Sequence, residues 1–319
     1  ALIFHGGGWH NNVYTDGSHS EIVFYGAGHG NHVRTHGYDG DIHFLGVGNS
    51  NNVYTHNSYS EIHFHGAGWH NHVRSLGHDS NIIFTGAGAH NHVYTQGAYS
   101  EIDFYGAGWH NHVRTHGHDS ALIFHGGGWH NNVYTDGRHS EIVFYGAGHG
   151  NHVRTHGYDG DIHFHGIGSN NDVYTRDSYS EIHFHGAGWH NHVRTLGHDS
   201  NIIFTGAGAH NNVYTHGAYS EIDFHGAGWH NHVRTHGHDS DILFTGAGAH
   251  NIVYTEGDNS TITFTAAGSY NHVYSKGFNA DINFAGAGGY NNIRTEGDDS
   301  DIKFDGAGAY NEISANGDG

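Results

Sequence analysis

Apolar and polar residues alternate along this chain in short runs. Ile22 and Phe24 stand two apart, and Val33 lies between His32 and Arg34. A period of two is the signature of a half-buried strand. The runs return every twenty residues in the unit x-I-x-F-x-G-A-G-x-x-N-x-V-x-T-x-G-x-x-S. Phe fills position four from Phe4 and Phe24 to Phe304, Gly fills position eight from Gly8 to Gly308, and Asn fills position eleven from Asn11 to Asn311. A constant twenty-residue period without helical spacing means a solenoid. Gly26-Ala27-Gly28 and Gly37 punctuate the runs and read as corners that need a permissive backbone. The pattern therefore predicts an all-β protein, a single β-solenoid (β-helix) of sixteen 20-residue coils with two short strands per coil. At about 4.8 Å per coil the rod would be about 75 Å long. Residues 1–319 are expected to form one continuous repeat domain. Within it, 1–120 and 121–240 are near-identical six-coil blocks, and 241–319 are divergent C-terminal coils.

Parity decides which side chains face inward. Positions two, four and thirteen are mostly Ile, Phe and Val and must be core. Positions twelve, fourteen and sixteen then face outward, as His32, Arg34 and His36 do in one unit. The opposite parity would bury a ladder of Arg and His, which is far too costly. Thr at position fifteen turns inward or lines the corner, and Asn11 with its equivalents forms an inward amide ladder from coil to coil. Position fourteen alternates Tyr14, Arg34, Tyr54, Arg74 and onward. With twenty residues per coil each Arg lies between two Tyr, a cation–π stack. With forty, Arg would stack on Arg, which is repulsive. Arg34 could also pair with Asp39 of its own coil, although an exposed pair contributes little.

Composition narrows the function classes. The 319 residues include 53 Gly and 41 His but no Pro, Cys or Met, and the formal charge is -20 with His neutral. Without Cys there is neither a disulfide framework nor a thiolate metal site. No apolar run approaches the eighteen or so residues of a membrane-spanning helix. The acidic balance argues against nucleic acid as a partner. Histidine titrates near pH 6.5, so protonating about half of the 41 would cancel the net charge. No signal peptide stands at Ala1, so the chain reads as an internal or processed piece of something larger.

The phrase F-x-G-A-G-x-x-N-x-[VI] stands as Phe64-His65-Gly66-Ala67-Gly68-Trp69-His70-Asn71-His72-Val73. It stands again as Phe284-Ala285-Gly286-Ala287-Gly288-Gly289-Tyr290-Asn291-Asn292-Ile293. It resembles the glycine-rich N-terminal repeats of MARTX (multifunctional autoprocessing RTX) toxins and related large secreted bacterial repeat proteins. The resemblance runs the length of the chain and is closest in the last four units. It implies a secreted or cell-surface structural segment that helps deliver other domains, not a catalytic one. The abundant His and the six Trp depart from that family's pattern. The calcium nonapeptide G-G-x-G-x-D is absent, so RTX calcium binding does not carry over.

Three constellations could carry chemistry. The first is His-Asn-His, at His70 and His72, His90 and His92, and His110 and His112. It recurs at His190 and His192 and at His230 and His232, with Asn212 interrupting the middle unit of the second block. Residues two apart on a strand point the same way, and neighbouring coils lie about 5 Å apart. Two coils would gather four imidazoles, a set suited to Zn, Ni or Cu. The bland reading makes these His tolerated surface residues. The second constellation is Trp9, Trp69, Trp109, Trp129, Trp189 and Trp229, all at position nine. Their rings form either a platform for glycans or another copy of the chain, or a cover for the Gly-Ala-Gly corner. The third is the acidic column of Glu21, Glu61 and Glu101, read as a solvated face rather than a calcium loop.

Catalysis is not expected, since every constellation is repeated along a convex surface rather than gathered in one pocket. The leading functional expectation is a structural segment of a secreted protein, a rigid spacer or self-assembling fibre module joined by coil stacking or lateral face packing. No cofactor is required for it. The alternatives are a transition-metal-binding His ladder, and a pH-responsive segment that binds a membrane surface or adheres at low pH. An ice-binding face is disfavoured because the Thr column points inward.

Overall fold

The structure is a computed structural model and describes residues 1–317. Residues 318–319 lie outside it. Among the described residues there is no helix. The coil is the twenty-residue unit, and all pairing is parallel and in register between residues twenty apart. Contacts group the chain into two compact units, Ala1–Asp161 and Ile162–Gly319. That boundary falls inside the second six-coil block rather than at its seam.

Every coil after the first carries three strands, not the two expected; the first has Leu2–Phe4 and Asn12–Thr15 with Trp9 in an isolated bridge to His29. In the coil of residues 61–80 they are Glu61–Phe64, Gly68–Trp69 and His72–Ser75. The middle one is a two-residue ladder that Gly-Ala-Gly spacing hides, because glycine carries no alternating side chain to read.

The inward parity is as expected. Ile62, Phe64 and Val73 are buried, as are their equivalents in the coils above and below. In-register stacking places identical residues on one another, so Phe rings form a flat column with centroids 4.6 to 4.9 Å apart. The Asn ladder closes the polar account of the interior. Asn91 Oδ1 accepts from Asn71 N at 2.9 Å and Asn71 Nδ2 at 3.1 Å. Its Nδ2 donates to Gly68 O at 2.8 Å and to Asn111 Oδ1 at 3.2 Å. Every donor and acceptor of that buried amide is thus used. The Thr column is also buried, and Thr95, Thr115 and Thr135 have hydroxyls without a hydrogen-bond partner. Where Ser75 enters the column, Thr55 Oγ1 donates to its hydroxyl at 3.0 Å.

Corners work differently from the expectation. The left-handed conformation falls mainly on positions ten and nineteen, held by His70 at φ 56° and Asp79 at φ 51°, not on the glycines. There the amide turns from the preceding coil toward the next: His70 N donates to Ala89 O, while His72 N donates to Asn51 O. Paired backbone in both directions offsets the cost of that conformation. The recurrent glycines serve close approach instead. A Cβ on Gly77 would lie 1.7 Å from Asn57 O, and one on Gly68 would lie 3.0 Å from the Phe84 ring.

Candidate functional site

Outside the core, the third strand carries the Arg–Tyr column. Arg74 lies over Tyr54 and Tyr94, at 5.9 and 5.0 Å from their ring centroids. The twenty-residue coil is therefore correct, and the cation–π column follows from it. Asp39 does not need Arg34: its Oδ2 lies 2.8 Å from His19 Nδ1 of the preceding coil. The Trp side chains at position nine stay between 44 and 67% exposed, and Trp109 stacks on Trp129 at 5.3 Å. These rings present flat apolar faces to solvent.

The His-Asn-His residues form two separate columns. Position ten lies at the left-handed corner, so strand alternation does not extend to it, and only position twelve belongs to a strand. In the first column His70, His90 and His110 stack at 5.0 Å per step. In the second unit His190, His210 and His230 stack at 4.8 Å. The other column stacks His72 on His92 at 4.7 Å and His92 on His112 at 5.5 Å. In the second unit it is broken by Asn212, which pairs in register between His192 and His232. His192 Nδ1 lies 3.3 Å from Asp172 Oδ1. Each column sets one ring per coil in a line, so the first and third rings lie too far apart to share one ion. Burial first, then the neighbouring His72 and His112, lowers the pKa of His92 below the ordinary imidazole value.

The convergent donors lie on a different strand. His43, His63 and His65 each bring a ligand atom within 4.8 Å of the others, and His163, His183 and His185 do the same. Among the described residues these are the two such groups. Each lies inside one compact unit. Position three faces outward from the first strand, and position five folds over it. The rings of His63 and His65 lie 3.5 Å apart, with His43 at 6.0 Å from His65. This overlap leaves the side chains of His63 and His183 only 14% exposed. Glu61 Oε1 lies 3.2 Å from His63 Nδ1 and 3.9 Å from His43 Nδ1, and Glu181 Oε1 lies 3.2 Å from His183 Nδ1. The outer nitrogens, His63 Nε2 and His183 Nε2, are buried without a hydrogen-bond partner.

Burial and crowding hold His63, His65, His183 and His185 below the ordinary imidazole value. Burial first and His65 second lower the pKa of His63, against the opposing pull of Glu61. His183 and His185 are brought down to about 4, by burial first and then by the neighbouring imidazoles. Neutral imidazoles offer lone pairs at pH 7. The sequence carried a signal: His63-Phe64-His65 and His183-Phe184-His185 are His-x-His pairs that straddle the end of the first strand, each beginning two residues after a Glu. Alternation alone does not reveal that position five covers position three.

The fold and its outer face define a parallel β-solenoid with histidine-lined columns. No family model, curated protein or solved structure matches this chain.

Proposed function

We propose that the chain is a structural segment, a rigid β-solenoid spacer that also self-associates through coil stacking or its ring-bearing faces. One observation carries this reading: coil after coil renews the same core, a Phe column and an amide ladder. Such a stack resists bending because displacing one coil breaks register with two others. The reading assigns no catalysis. It places the segment outside the cell, as part of a secreted or surface protein, on the strength of the resemblance to MARTX-type glycine-rich repeats. Exposed Trp and Tyr faces suit contact with a second copy or with glycans.

Small-angle scattering across a concentration series tests the spacer. A maximum dimension of about 75 Å at low concentration is expected from sixteen coils of about 4.8 Å each. A particle far more compact than that would end the spacer reading. Growth of the particle with concentration is expected from face packing, and its absence would remove the self-association.

A further inference from the structure

We propose that His43, His63 and His65, and again His163, His183 and His185, each form a binding site for a divalent transition cation of the zinc, nickel or copper type. The proposal goes beyond the spacer reading and does not rest on it.

Four observations converge. Three imidazole donors lie within 4.8 Å of one another in each cluster. Three nitrogen ligands with one open position are a common set for zinc, and imidazole also suits nickel and copper. The second observation is the orphaned nitrogen. His63 Nε2 and His183 Nε2 are buried and unpartnered, and such an atom costs stability unless something meets it. A cation on that lone pair would remove the penalty. Third, Glu61 and Glu181 face the Nδ1 atoms of the same two rings at 3.2 Å. A carboxylate that accepts Nδ1–H fixes the tautomer and leaves Nε2 as the ligand, an arrangement common behind metal-bound His. Fourth, the site occurs twice, 120 residues apart. The neighbouring position five changes from Leu45 to His165, while the three donors and the Glu are the same in both.

Closure is small. Tetrahedral ligands on a zinc ion lie about 3.4 Å apart, given zinc–nitrogen bonds of about 2.0–2.1 Å. The donor atoms, within 4.8 Å of one another, need to approach by up to about 1.4 Å, within the reach of χ rotation. The rings of His163 and His165 are 6.1 Å apart, so the second site has a fourth imidazole beside it.

Titration of the metal-free chain with Co(II), read by its visible absorption and followed by displacement with Zn(II), tests this. Two equivalents per chain are expected. His63→Asn and His183→Asn should each leave one, and the double variant none. Asn is accommodated at this position, as Asn283 shows within the intact strand Asp281–Phe284, and far-UV circular dichroism verifies each fold. A quadruple variant, His70→Asn, His72→Asn, His90→Asn and His92→Asn, should keep both equivalents. Two equivalents that survive the double variant, loss that follows the quadruple variant, or no saturable uptake by the parent would each overturn the proposal.

Discussion

At the scale of single residues, polar groups in the interior are treated unequally. The Asn column is fully satisfied, so its amides hold coils together and fix their register. The Thr column is not: the buried hydroxyl of Thr115 has no partner. Removing an unsatisfied buried hydroxyl while keeping the side chain's shape removes a desolvation penalty. Thr115→Val is therefore expected to stabilise the fold by about 1 kcal/mol, read as a higher urea midpoint with an unchanged slope. A lower midpoint would mean that the hydroxyl has a partner in solution. Parity left Thr either inward or lining the corner, and the structure buries it. Its lack of a partner was not legible, because side-chain rotation about χ1 is settled by packing against the next coil.

At the scale of the element, neighbouring coils compensate for each other. Position seventeen is Gly in nearly every coil, but it is Asn57 in the third. Asn57 is buried, and its Nδ2 donates to Thr35 Oγ1 at 3.1 Å. Room for it comes from Gly40, where most coils carry Ser; a Cβ there would lie 2.0 Å from Asn57 Nδ2. Gly40→Ser alone is expected to destabilise by about 1–3 kcal/mol through overpacking. Adding Asn57→Gly restores the Gly and Ser combination of the other coils and should recover most of the loss. Equilibrium unfolding of the two single variants and the double variant gives the coupling. Simple additivity would show that the two sites do not share this space. The same scale explains the strand count. Alternation exposes strands that carry side chains on both faces, so the first and third were legible. The Gly68–Trp69 ladder was not, since its pairing rests on backbone contact with the next coil.

At the scale of the whole molecule, histidine and carboxylate titration oppose each other. His183 and His185 titrate at about 4 when folded and near the ordinary 6.5 when unfolded. Between those values the unfolded chain takes up more protons. Their contribution to stability is present above about 6.5 and is lost as the pH falls through about 4. Asp103 runs the other way. Burial first, then Glu101, raises it from 3.8 to about 7. Its contribution is complete below the unfolded value and is lost as the pH rises through about 7. The melting temperature is thus expected to fall from pH 7 to pH 4. The paired variant His183→Asn, His185→Asn should flatten that limb, and Asp103→Asn should raise stability at pH 8. Thermal melts from pH 4 to pH 8 decide this. An acid limb unchanged in the paired variant would show that other groups set it.

The sequence by itself determined the coil length, the inward parity, the Phe, Asn and Thr columns and the Arg–Tyr stack. An unbroken twenty-residue register makes each column a copy of one position, so local alternation is enough to derive them. Tertiary structure alone decided where the imidazoles converge. Stacking strings the His70 and His72 columns out one ring per coil, while the overlap of positions three and five gathers donor atoms of His43, His63 and His65 within 4.8 Å of one another. That difference depends on the space between adjacent coils, which a one-dimensional pattern does not contain.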